Sequence, residues 1–407
     1  MAGGTNVMAT RAVERGTSRA LRADLHDLSE ARASGLRIAL FSGNYNCVRD
    51  GANKALNRLV AFLLQQGAAV RVYSPTARHP AFEPAGDLVS APSVPIPFRP
   101  EYRYSLGLTP ALRRDIRAFE PTHFHLSAPD RLGCQAEEFA RELGVPVVAS
   151  LHTRFETYFR YYGLGFVTPL IERTLRRFYS GADVVLAPNE PIAADLQDKG
   201  YADRIMIWGR GVDRGLFNPG RRNEEWRRAH GFAPDDVVIL FFGRLVREKG
   251  LATFEAAVGE LARRGHKLKL LIVGDGPERK GVAERLPDAV FTGHLEGEAL
   301  AEAIASADIL INPSVTEAFG NVNLEAMASG LAIVSADVGS AQALIEDGRS
   351  GLLVEPKDPS AYADAAEALM LTPGRRRMLA MAAVATSAAF GWNEMLGSVL
   401  DCYLAVG

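Results

Sequence analysis

The sequence predicts an α/β protein made of two doubly wound units whose strand ends face a common cleft. Three observations carry this. From Leu36 onward, short apolar runs alternate with segments of helical period, the pattern of a parallel sheet covered on both faces. The alternation pauses between Gly211 and Pro219 and then starts afresh. At 407 residues, the chain also exceeds what one hydrophobic core usually organises.

In the first unit, "LRIALFSG" reads as a buried strand and "GANKALNRLVAFLLQQG" as a helix ended by Gly67. The runs "AAVRVYSP", "THFHLS", "VPVVASLH" and "ADVVLAP" supply further strands, and the proline-rich stretch from Pro75 to Pro110 reads as an irregular insertion. The second unit follows "WGRGVDRGLFNPGRR". Its strands are "VVILFFGR", "LKLLIVGDG", "DAVFTG", "ADILINPS", "LAIVSAD" and "GLLVEP", with helices expected at 250–264 and 322–329. The expected division is an N-terminal extension (1–35), a first domain (36–212), a second domain (213–390) and a closing helix (391–407). That helix is too isolated to extend the second sheet and is expected to pack back toward the first domain.

Composition narrows the function classes. A net charge of −2 argues against a dedicated nucleic-acid binder. The cysteines Cys47, Cys134 and Cys402 are far apart and show neither disulfide nor metal spacing, so a reducing cytoplasm is the simplest compartment. No apolar run approaches the ~18 residues of a membrane span, and the first residues lack the apolar core of a signal peptide. Arg11, Arg15, Arg19 and Arg22 leave the extension two readings, a solvated tail or a membrane-surface helix.

The chemistry-bearing motifs all follow predicted strands, where ligands sit in open sheets. In "FFGRLVREKG", Arg244 and Lys249 flank a loop bounded by Gly243 and Gly250 beside a helix start. Two cations there suit a phosphate or diphosphate, the alternative being a solvated basic turn. In "LIVGDGPERKG", Gly274 and Gly276 allow either a close approach by a flat nucleoside or simply a tight turn. "FTGHLEGEAL" is positioned to contact a base. The segment "TEAFGNVNLEAMASG" carries Glu317 on a loop and Glu325 inside the following helix. Between them lie the amides of Phe319, Gly320, Asn321 and Val322, free to receive hydroxyls or phosphate oxygens. A carboxylate only accepts hydrogen bonds, which is what a polyhydroxylated ligand requires. The bland reading is one capping and one solvated glutamate.

This combination resembles the retaining glycosyltransferases of family 4 (GT4), which have the GT-B fold of two facing Rossmann-like domains. The likeness covers about residues 36 to 407. It implies that Arg244 and Lys249 hold the diphosphate of a nucleotide sugar, that Glu325 binds the ribose, and that Glu317 binds the transferred sugar. His152 in "ASLHTRFETY" matches a histidine near the sugar's reacting side. "FSGNYNCVRDGAN" resembles the glycine loop where donor phosphates and acceptor meet, with Gly51 opening a helix and Asp50 capping it or touching the acceptor. That loop lacks the family's paired glycines, and Leu331 stands where the family often has proline.

Arg210, Gly211 and Asp213 match members that glycosylate lipids, such as sulfolipid synthases and mycobacterial mannosyltransferases. Residues 154 to 178 carry five arginines and two glutamates among aromatic residues, Arg154 and Tyr158 included. Such a surface suits anionic headgroups or packs on its own domain. The resemblance thus implies transfer of a hexose or uronic acid from an NDP-sugar, UDP favoured and GDP allowed, to a lipid hydroxyl. The enzyme would be peripheral to the inner face of the membrane, with no cofactor and no nucleic-acid partner. The chain has no Asp-x-Asp pair, so the two cations are expected to stand in for a bridging metal. The rivals are a soluble or polysaccharide acceptor, a non-catalytic nucleotide-sugar binder, and an epimerase or phosphorylase.

Overall fold

The computed structural model describes residues 32–48, 51–96, 99–152 and 168–406. The first domain is a seven-stranded, wholly parallel sheet. Its strands are Arg37–Phe41 (β1), Ala69–Ser74 (β2), Asp87–Ser90 (β3), His123–Leu126 (β6), Val147–Ser150 (β7), Val184–Ala187 (β8) and Ile205–Ile207 (β9). They lie in the order β3-β2-β1-β6-β7-β8-β9. Helices Gly51–Gln65 (α1), Pro110–Phe119 (α2), Arg131–Leu143 (α3), Thr168–Ser180 (α4) and Glu190–Asp198 (α5) connect them. Register is set by apolar pairs such as Leu40 with Val72. Strands β6, β7 and β8 are buried at every position, as a sheet covered on both faces requires.

The segment read as irregular between Pro75 and Pro110 contains structure. It holds β3 at the sheet edge and an antiparallel hairpin, Ser93–Ile96 (β4) with Arg99–Ser105 (β5). Prolines and exposed polar residues hide strands that are covered on one side only. Among the described residues of the N-terminal extension, Ala33 is buried and Arg32 pairs with Asp401 at 2.8 Å.

The second domain repeats the plan with six parallel strands in the order β12-β11-β10-β13-β14-β15. They are Val238–Phe242 (β10), Lys269–Val273 (β11), Val290–Gly293 (β12), Ile309–Asn312 (β13), Ala332–Ala336 (β14) and Leu352–Val354 (β15). The helices are Glu224–Ala229 (α6), Leu251–Arg263 (α7), Arg279–Arg285 (α8), Gly297–Ala305 (α9), Asn321–Ala328 (α10), Gly339–Gln342 (α11), Pro359–Leu371 (α12) and Pro373–Ser387 (α13). Leu240 pairs with Leu271 on one side and Leu310 on the other.

The last helix, Trp392–Val406 (α14), buries Leu396, Val399, Leu400, Cys402 and Tyr403 in the same core as Leu40, Val72, Val148 and Leu186 of the first sheet. Each buried Leu or Val there contributes roughly 1.5–3 kcal/mol. The polypeptide thus leaves the second domain and closes on the first. In both sheets the strand order reverses beside the first strand, between β1 and β6 and between β10 and β13. Such a reversal opens a crevice at the carboxyl ends of the strands.

Candidate active site

The loops after β10 and β13 flank the crevice of the second sheet, and several contacts join them. Thr316 Oγ1 donates to the Glu248 carbonyl at 3.3 Å. A Cβ on Gly250 would meet the Pro313 carbonyl at 2.7 Å, so only glycine lets the two loops lie this close. Lys249 Nζ bonds Glu317 Oε1, and Ser314 Oγ donates to the same oxygen at 3.1 Å. Burial raises the Glu317 pKa, but Lys249 and Ser314 outweigh it and hold the carboxyl below its ordinary range. Glu317 is therefore ionised at neutral pH.

Gly320 sits at the N-cap of helix α10, with φ 96° and, as a glycine, no side chain with which to cap. Its first-turn amides have no side-chain cap, unlike those of α2 and α3, which Thr109 and Asp130 cap. Two buried asparagines fix the aim of α10. Asn312 Nδ2 donates to Asn323 Oδ1 at 2.8 Å, and Asn323 Nδ2 donates to Ser335 Oγ at 3.0 Å. Gly243, with φ 144°, faces the Val322 side chain in the first turn of this helix.

Glu325 lies one turn further in. Its environment contrasts with that of Glu317. Burial pushes its pKa up to about 7, and only the distant pull of Lys54, on α1 of the other domain, acts against this. No donor among the described residues hydrogen-bonds its carboxylate. The two glutamates are thus shifted in opposite directions, Glu317 ionised and Glu325 poised to titrate near neutral pH.

The first domain closes on this face. A Cβ on Gly51, at the start of α1, would sit 2.8 Å from Asn321 Nδ2, so two helix N-termini meet across the cleft. Lys54 pairs with Glu296 at 3.4 Å. Asn189, which caps α5, donates Nδ2 to the Ala318 carbonyl at 2.8 Å. Phe319 is buried and packs edge-on against Phe390, with Gly209 close to its ring. His152 follows β7. Its Nδ1 lies 2.6 Å from Arg210 and its Nε2 lies 2.8 Å from Ser150 Oγ.

The structure therefore brings Gly51, Gly243, Lys249, Glu317, Phe319, Gly320, Asn321, Val322 and Glu325 to one region. Arg244 follows Gly243 with an exposed guanidinium that forms no ion pair among the described residues. Gly274 and Gly276 hold the turn after β11 against neighbouring backbone. A Cβ there would meet the Gly243 carbonyl at 1.9 Å, and one on Gly276 would meet the Leu245 carbonyl at 2.4 Å. These glycines thus let one loop lie close against the next. Asp50, Arg154 and Tyr158 lie outside the described residues.

Sequence reasoning missed Lys54, Ser314, Asn189 and the two asparagines. Lys54 had a legible signal, being one turn beyond Gly51. Ser314 lies only three residues before Glu317, whereas Asn189 and the two asparagines act through contacts between separate elements, which spacing does not encode.

Comparisons with known proteins identify the family. The family model described as "Glycosyltransferase Family 4" matches residues 49–216, and that described as "Glycosyl transferases group 1" matches residues 236–371. The chain is 33% identical to a GDP-mannose-dependent alpha-mannosyltransferase of Mycolicibacterium smegmatis, over 91% of this chain and 98% of that one. It is 29% identical to the sulfoquinovosyl transferase SQD2 of Arabidopsis thaliana, over 91% of this chain and 73% of that one. Among solved structures, sucrose-phosphate synthase from Thermosynechococcus elongatus superposes with a TM-score of 0.75 at 20% identity, covering 91% of this chain and 98% of that one. Two facing parallel-sheet domains, family matches in both, and a full-length relative above 30% identity lead to one assignment: the chain belongs to glycosyltransferase family 4 and is a glycosyltransferase of the GT-B fold.

Proposed function

We propose that this enzyme transfers a hexose or uronic acid from a nucleoside-diphosphate sugar to a hydroxyl of a membrane lipid, with retention at the anomeric carbon and without a metal ion. The observation that carries the reading is the contrast between the two glutamates of one cleft. Glu317 is ionised, tied to Lys249, and suited to hydroxyls of the transferred sugar. Glu325 has no donor among the described residues and suits the vicinal diol of a ribose.

The anomeric C–O bond to the diphosphate breaks as the acceptor oxygen bonds to the same carbon from the same face. The acceptor proton passes to a phosphate oxygen of the departing nucleoside diphosphate. Charge therefore grows on the diphosphate, and Arg244, Lys249 and the first-turn amides of α10 are preorganised to stabilise it. Closure of the domains would exclude water and suppress hydrolysis.

A nucleotide donor is supported by relatives and neighbours. One relative is named for GDP-mannose, and one structural neighbour is Anabaena Alr3699/HepE in complex with UDP and glucose. A lipid acceptor is supported by the sulfoquinovosyl transferase relative and by α4, which exposes Leu170 beside Arg173, Arg176 and Arg177. No helix among the described residues is long and apolar enough to cross a membrane, so contact would be at the surface.

The test is to incubate the protein with UDP- and GDP-sugars and a bacterial lipid extract. A new glycolipid is expected, and Glu317→Gln should abolish most of it. Transfer to soluble glycans alone would overturn the lipid assignment, and donor binding without any transfer would support a non-catalytic binder.

A further inference from the structure

Arg210 belongs to the segment that joins the domains, and it is only 4% exposed. Its guanidinium donates to the Trp208 and Gly209 carbonyls, each at 3.1 Å, and lies 4.8 Å from the centre of the Trp208 ring. No carboxylate among the described residues forms an ion pair with it. Burying a cation without an anion is costly. Its remaining contact is therefore informative: a bond to His152 Nδ1 at 2.6 Å.

A guanidinium has donors and no acceptor. His152 Nδ1 must therefore accept, and the single proton of the neutral ring must sit on Nε2. That nitrogen lies 2.8 Å from Ser150 Oγ, to which it donates. Behind Ser150, His125 Nε2 lies 2.8 Å away, and His125 Nδ1 lies 2.5 Å from Tyr403 Oη on α14. Trp208 packs edge-on against both imidazoles. The network thus runs from the inter-domain segment through β7 and β6 to the last helix.

We propose that Arg210 is a positioning residue that locks His152 as the neutral Nε2–H tautomer, so that His152 meets the transferred sugar as a hydrogen-bond donor and not as a base. Ser150, His125 and Tyr403 form the socket behind it. The proposal rests on the donor-sugar reading of the cleft. A sugar hydroxyl reaching His152 competes with Ser150 for one proton and can only accept it.

The groups acting on His152 agree in direction. Burial, then the Arg210 charge, then His125 all push its pKa well below the ordinary histidine range. Burial likewise takes His125 down to about 3. Ser150 and Trp208 carry no charge, and Tyr403 has its pKa raised by burial and so stays protonated.

The experiment is long-range 1H–15N correlation spectroscopy on the full chain labelled with 15N-histidine, with the His152 signals assigned by His152→Gln. From pH 5 to 8, His152 should show the Nε2–H pattern and no titration. Arg210→Met should populate the Nδ1–H tautomer or bring the ring into titration, and Arg210→Lys should restore the locked form. Ser150→Ala should leave the tautomer unchanged. That arm, with the wild-type spectrum, decides the matter even if Arg210→Met does not fold.

A wild-type Nδ1–H tautomer, a midpoint near 6.5, or a tautomer that follows Ser150 instead of Arg210 would overturn the proposal. In the transfer assay, Arg210→Met should lower kcat about tenfold, the worth of one hydrogen bond, with the donor KM little changed. Unchanged kcat would also contradict it. If no donor supports transfer, the transferase reading of the cleft fails, while the spectra still report the tautomer.

Discussion

Lys249 and Glu317 illustrate how one contact can serve stability and function together. Their side chains are 22% and 18% exposed, so neither charge is fully solvated. Removing the lysine leaves a largely buried carboxylate with Ser314 as its remaining hydrogen-bond donor among the described residues. Lys249→Met should therefore destabilise the fold by about 1–3 kcal/mol, and adding Glu317→Gln should recover part of that loss. Chemical denaturation of the two single variants and the double variant measures the coupling; strictly additive effects would contradict the pairing.

Glu325 has the opposite environment. Its folded pKa of about 7 lies above the ordinary 4.5, so its stabilising contribution is full below pH 4.5 and is lost as pH rises through 7. Glu325→Gln should leave stability unchanged at pH 4 and raise it at pH 8 by up to about 3 kcal/mol. Binding of a ribose diol prefers the carboxylate form. Uridine or guanosine affinity should therefore strengthen between pH 6 and 8 in the wild type and stay flat in Glu325→Gln, as titration calorimetry can show. Both glutamates were legible in the sequence as carboxylates near a strand end. Their opposite pKa shifts were not, because these depend on Lys249, Ser314 and burial supplied by the fold.

At the level of elements, the turns after β10 and β11 act as one unit. Gly274 has φ 137°, and a Cβ there would collide with the Gly243 carbonyl at 1.9 Å. Gly274→Ala should therefore cost about 2–4 kcal/mol, combining backbone strain with displacement of the neighbouring loop. A thermal melt within a degree of the wild type would refute this packing role. The strands of the second domain could be read directly, since "VVILFFGR" and "ADILINPS" are apolar runs that end in turn residues. Strand β3, the β4–β5 hairpin and β9 were harder. All lie at an edge or outside the main sheets; β3 and the hairpin contain polar residues or proline, and β9 has only three residues. Helix α10 was legible as a helix, but its aim depends on Asn312, Asn323 and Ser335, which lie on three different elements.

At the scale of the whole molecule, the same topology occurs twice, and each sheet turns its strand-order reversal toward the other domain. The contacts of Gly51 with Asn321 and of Asn189 with Ala318 place loops of the first sheet on the loop and helix carrying Glu317 and Glu325. Helix α14 then fastens the chain's end into the first domain's core. Two units and a cleft could be read from the repeated strand–helix alternation. The cross-domain partners could not, since no local pattern records which distant residues will meet.

The central claim is that a cleft between these domains stabilises a departing diphosphate with protein cations in place of a divalent ion. Its most direct measurement is the rate of nucleoside-diphosphate release from the preferred sugar donor, with lipid acceptor and excess chelator, for the wild type and Arg244→Ala. Full wild-type turnover in chelator and a loss of about 10²–10³-fold in kcat for the variant are predicted. A wild-type rate that collapses in chelator and returns with added metal, or an Arg244→Ala enzyme of undiminished kcat, would contradict the account.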